Sequence, residues 1–116
     1  MKYMLLIYGD EQARPEPGSP AMAKEGAKYE AFTKSIVASG NFLDGDPFLP
    51  TTTATTVEVR GGKTKTSGGP VEKTEHQLLA YYKVEAKDEA QAIEMASRIP
   101  GALYGSIEVR PVVQFD

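Results

Sequence analysis

Two short apolar runs constrain this chain more than anything else in it. Lys2 to Tyr8, "KYMLLIY", is nearly continuous in apolar side chains, and Gln77 to Glu85, "QLLAYYKVE", is the second such run. Both are too short for a buried helix and rich enough in large side chains for a strand, so the first reads as a strand central in its sheet and covered on both faces. Each is followed by a segment with helical spacing. After a loop, "GDEQARPEPGSP", broken by three prolines and two glycines, Ser19-Pro20 supplies a capping side chain and a residue tolerated at the first helical position. Tyr29, Phe32, Ile36 and Val37 then form an apolar stripe that runs to the Gly40-Asn41 stop. After the second run, "AKDEAQAIEMASRIP" places Ala92, Ile93, Ala96 and Ile99 on one helical face, with Asp88-Glu89 favouring the helix dipole and Pro100-Gly101 ending it.

The remaining strands carry turn chemistry between them. Thr51 to Arg60, "TTTATTVEVR", is rich in β-branched residues and alternates in its second half, which predicts one face on the core. Gly61-Gly62 turns it tightly into "KTKT". Tyr104 to Val112, "YGSIEVRPV", alternates Ile107 and Val109 with Glu108 and Arg110. The predicted order is β-α-β-β-β-α-β in one domain over residues 1–116, an α+β ferredoxin-like sandwich with an antiparallel sheet and two helices on one face. The other face, apolar as well, is expected to be hidden by a second copy, sheet to sheet, as a two-fold homodimer.

Composition narrows the chemistry. With no cysteine and one histidine, the chain holds no thiolate nucleophile, and neither a metal site nor a cofactor is expected. A formal charge of −3 with scattered Lys and Arg speaks against nucleic acid, which demands a clustered positive face. The longest apolar run, Met4 to Ile7, is far below the roughly 20 residues of a membrane span. It also runs directly into Gly-Asp-Glu, unlike a secretory signal, so a cytoplasmic location is expected.

Candidate site residues fall into four groups. His76, in "TSGGPVEKTEHQ", has the intrinsic pKa of a general base and has Glu72 and Glu75 near it in sequence, against the alternative of a solvated residue entering a strand. Asp10, Asp44 and Asp46 offer hard carboxylates, although Asp44-Gly45-Asp46-Pro47 is also ordinary turn composition. Tyr29, Tyr81, Tyr82 and Tyr104 can wall a pocket between helix and sheet, and only one of Tyr81 and Tyr82 can face the helices. Arg98 and Arg110 suit a ligand carboxylate or a surface ion pair. The two Gly-Gly pairs lack the helix N-terminus or GK[ST] continuation of a phosphate loop.

The segments "KYMLLIYGDE", "YEAFTKSIVASG", "TATTVEVRGGKTKTSGGP", "QLLAYYKVEAKDEAQAIEMASRIP" and "YGSIEVRPV" together resemble the YCII-related family, in its DGPF-domain branch. The resemblance covers nearly the whole chain in order. It implies a dimeric α+β barrel fold in a bacterial cytoplasmic protein, and it implies no particular reaction. Smaller relatives pair a His on the first helix with an Asp near the end of the second. Here Tyr29 and Ile99 stand at those positions, so the dyad is missing. The Asp-Gly-Pro-Phe signature is replaced by Gly68, Gly69, Pro70 and Val71. Lys73 and His76 fall where many branch members have Glu, while Thr74, Gln77 and Leu78 match. Three functions follow as expectations: a small homodimeric protein binding a small polar or aromatic ligand, a cofactor-independent lyase or isomerase with His76 as base and Tyr29 or an Asp as partner, and a protein–protein regulator linked to transcription, since genes of the branch often neighbour sigma-factor genes.

Overall fold

The computed structural model describes residues 1–115. Strand β1 (Lys2–Asp10) leads through a 3-10 turn at Glu11–Ala13 to helix α1 (Pro20–Ala38); β2 (Phe42–Pro47), β3 (Thr55–Arg60), β4 (Lys63–Gly68), β5 (His76–Glu85), helix α2 (Glu89–Ser97) and β6 (Ser106–Pro111) follow. Both helix starts are capped from within the sequence: Ser19 Oγ accepts the Met22 N–H and the Asp88 carboxylate accepts the Gln91 N–H, satisfying amides that have no partner in the first turn.

The main sheet has the order β2-β5-β1-β6, with every neighbour antiparallel. This is the ferredoxin-like arrangement, and β3 with β4 forms a separate two-stranded hairpin inserted between β2 and β5. Strand β2 is an element the sequence pattern does not reveal. Asp, Gly and Pro are poor strand formers, yet Asp44, Gly45 and Asp46 pair with Lys83, Tyr82 and Tyr81, because an edge position tolerates such residues when one side of the ladder is satisfied.

Alternation along β1 sorts the two faces. Tyr3, Leu5 and Ile7 are buried and pack with Tyr82 and Val84 of β5 against Phe32 and Ile36 of α1 and Ala92, Met95 and Ala96 of α2. Both helices therefore cover one face. Met4, Leu6 and Tyr8 point to the other face and stay half-exposed, so β1 is not covered on both faces within one chain. Helix phase differs from the predicted stripes at two points. Val37 and Ile93 are 54% and 51% exposed, while Met95 is 1% exposed; each helix buries only a narrow apolar stripe, and neighbours one position away fall outside it.

The largest departure concerns the hairpin. Val57 and Val59, expected on the core, are 59% and 57% exposed, because β3 pairs only with β4 and leaves the main sheet. The turn itself follows the sequence. Gly61 and Gly62 have φ of +57° and +77°, the left-handed pair that matches strand twist in a two-residue hairpin and that side chains resist.

Candidate functional site

A cavity of about 760 Å³ lies between the N-terminal half of α1 and the sheet, where β1 ends. Its size is that of pockets for small organic molecules. Helix α1 contributes Met22, Glu25, Gly26, Tyr29 and Thr33, residues spaced three to four apart and so on one helical face. The sheet contributes Ile7 and Gly9 of β1, Phe42 and Asp46 of β2, and Ala80 to Tyr82 of β5. Tyr104 closes one side, and Ala13 to Pro15 of the proline-rich loop close another. That loop is pinned at its start, where the Glu11 carboxylate accepts the Thr51 N–H at 3.0 Å and the Thr51 hydroxyl. These bonds favour the charged form and hold the Glu11 carboxyl below the usual carboxylate range.

A β-bulge shapes the floor. Ile7 pairs with Ala80 and Tyr8 with Leu78, so Leu79 is the extra residue, and such insertions bend a strand and re-aim its neighbours. Leu79 reaches the cavity lining and its carbonyl accepts the Phe48 N–H.

The four candidate tyrosines all reach this lining, in different ways. Tyr82 is 8% exposed, stacks edge-on to Phe32 at 5.2 Å and Phe42 at 6.4 Å, and meets the Thr33 hydroxyl at 2.7 Å. Because the Thr33 hydroxyl proton is committed to the Tyr29 carbonyl, Tyr82 donates in that bond. The phenol of Tyr29 lies over Gly101, where a Cβ would come within 2.6 Å of its oxygen, so any side chain there would displace the phenol. Tyr81 faces the opposite side of the sheet from Tyr82, donates to Asp44 at 3.1 Å and Asp46 at 3.3 Å, and stacks on Phe48. The hydroxyl of Tyr104 donates to Glu25 at 3.4 Å.

Burial pushes the Tyr29 and Tyr82 phenols above the ordinary tyrosine value, and the hydrogen bond to Asp44 raises Tyr81. At neutral pH the Tyr29 phenol is therefore a hydrogen-bond donor rather than a base. The same shifts have a stability consequence. Above pH ~10 the unfolded chain loses phenolic protons that the folded chain retains, so stability falls as pH rises through the folded values. Melting curves between pH 8 and 11 are expected to show this decline, and the double variant Tyr29→Phe, Tyr82→Phe to show a shallower one, with Tyr81 accounting for part of what is left.

The other candidates separate. Asp10 and Asp46 line the cavity, whereas Asp44, which accepts from the Tyr81 hydroxyl, does not. Arg98 is held by Glu94 at 2.7 Å and Ser35 at 3.0 Å, and its guanidinium lies over the Phe32 ring; its donors are committed to structure. His76 opens β5 beside Asp10, is exposed and does not line the cavity. Among the described residues no carboxylate forms an ion pair with its ring. Arg110 pairs with Glu108. Ile99 is fully buried in the core and packs there as a hydrophobe.

Sequence reasoning missed Arg14, Glu25, Gly26, Thr33, Gly101 and Gly105 as lining residues. The helical members share the stripe of Tyr29, a signal present in the spacing; Arg14, Gly101 and Gly105 carry none. No group of three or more His, Cys, Asp or Glu among the described residues is placed to hold a metal ion, and no described helix is long and apolar enough to cross a membrane.

A ferredoxin-like α+β domain with a tyrosine-walled cavity under its first helix is what fold and site define. The model of the YCII-related domain matches residues 1–116, and the chain belongs to that family. Among curated proteins it is similar to an uncharacterized protein of Rhizobium meliloti (strain 1021), with 27% identity over 117 residues that cover 99% of this chain and 94% of that protein.

Proposed function

We propose that this YCII-related protein is a cytoplasmic homodimer that binds a small aromatic ligand bearing polar groups in the cavity beneath α1. The single observation that carries this reading is the cavity itself: apolar and aromatic walls from Phe42, Leu79, Tyr29 and Tyr82, with a few polar groups, Arg14, Glu25, Asp46 and the Tyr104 hydroxyl, at its rim. Such a mixture excludes water from a ring and orients its substituents. The homodimer is supported by the half-exposed Met4, Leu6 and Tyr8 on the sheet face that no helix covers. Less supports a lyase or isomerase built on His76, since that ring is exposed and has no carboxylate orienting it.

The test is a titration with three probes of different charge, 4-hydroxybenzoate, catechol and tyramine, followed by NMR of the tyrosine rings. Saturable shifts at Tyr29 and Tyr82 with at least one probe, weakened at least tenfold in Gly26→Leu, are expected. Gly26 lies on the exposed turn of α1 with open space where a side chain would stand, so leucine fills the cavity without a clash. Absence of shifts with all three probes at millimolar concentration, or shifts indifferent to Gly26→Leu, would overturn the reading.

A further inference from the structure

We infer that the β3–β4 hairpin is an arm whose valine face closes on the open sheet face of a second copy. The inference rests on the homodimer proposed above and names the element that holds it together. An isolated two-stranded hairpin is at best marginally stable in water, and this one receives no cover from its own chain: eleven of its twelve strand residues are exposed. It also enlarges the molecule. The radius of gyration is 16.1 Å, with extents of 47 × 47 × 18 Å, against about 13 Å for a compact chain of this length.

The arm is two-faced. Val57 pairs with Thr66 and Val59 with Thr64, which puts four β-branched, uncharged side chains on one face, while Glu58 pairs with Lys65 and Arg60 with Lys63 on the other. Alternation of this kind belongs to a sheet that packs one face on an apolar surface and shows the other to water. The chain carries that surface itself. Met4, Leu6 and Tyr8, with Leu78 opposite Tyr8, form an apolar strip on the face away from the helices.

Three considerations make a second copy the occupant. One chain holds both halves of the contact, which is the condition for a two-fold, self-complementary interface. Strands of six residues reach about 20 Å, enough to cross the roughly 14 Å from the first to the fourth strand of a sheet. Charge favours the same pairing. Arg60, Lys63 and Lys65 against Glu58 give the arm +2, which leaves −5 on the rest of a chain of formal charge −3, so the arm of one copy is drawn to the body of another.

The cysteine-free chain permits a direct test. A spin label on Lys65→Cys in unlabelled protein, mixed with ¹⁵N-labelled wild type, is expected to broaden the Leu6 and Leu78 amides of the wild-type partner. Sedimentation equilibrium is expected to show a wild-type dimer, dissociation raised at least 100-fold in Val57→Lys, Val59→Lys, and little change in Glu58→Lys on the opposite face. A dimer without intermolecular broadening, equally tight in the valine double variant, would sink the arm and leave the sheet-face dimer standing. A wild type that is monomeric at 100 μM, with the arm free or captured only by a different protein, would sink both.

Discussion

Gly105→Ala is expected to destabilise this protein severely. A Cβ at Gly105 would stand 2.1 Å from the Tyr8 carbonyl oxygen and 3.2 Å from the Gly9 Cα. The obstacle is the backbone of β1, not the end of a flexible side chain, and β1 cannot retreat without breaking its pairing with β6 at Tyr8 and Ser106. Gly105 is itself tied by its N–H to the Gly101 carbonyl at 2.8 Å, so neither partner yields. Overpacking of this severity lies at or beyond the upper end of the usual range, about 3 kcal/mol or more, which lowers the melting temperature of a domain this size by roughly 10 °C or more. Thermal denaturation followed by circular dichroism checks it. Gly68→Ala is the matched control: its Cβ meets nothing within 4 Å and its φ is not positive, so a change within about 0.5 kcal/mol is expected.

Tyr82→Ala is expected to cost about 3–5 kcal/mol, because it removes a buried aromatic side chain of the core and leaves a hole between α1 and the sheet. Its ring touches Phe32 and Phe42 edge-on, contacts that add to the area it buries. Tyr82→Phe isolates the hydroxyl. Thr33 keeps its own donation to the Tyr29 carbonyl, so no donor is orphaned and a loss of about 1 kcal/mol is expected. Denaturant titration of both variants separates the two terms. Equal losses would show that the hydrogen bond, rather than the ring, holds α1 on the sheet. The phenylalanine variant keeps the cavity wall, and it is the one to carry into ligand titrations.

Both sites lie where the sequence was partly legible. The strands β1 and β5 announce themselves through long apolar runs, and Ser19 and Asp88 mark the helix starts because capping uses side chains adjacent in sequence. Local signals suffice where the physics is local. Tyr29, and one of Tyr81 and Tyr82, could be expected on a pocket wall for the same reason, being large aromatics on periodic elements; that it is Tyr82 which turns to the helices was decided by the register of β5. Strand β2 was not, since "FLDGDP" pairs only because β5 presents a partner ladder to it. Gly105 looks like any turn glycine until the Tyr8 carbonyl is seen beside it.

From its sequence alone, the chain's element types apart from β2, its antiparallel two-layer class and its aromatic candidates were determined, because periodicity, capping and turn geometry act over a few residues. Only the tertiary structure decided that His76 stays outside the cavity, that Arg98 is spent on Glu94 and Ser35, and that the valines of β3 leave the core. Those outcomes depend on which residues distant in the chain meet, and packing selects such meetings over the whole domain rather than within any one segment.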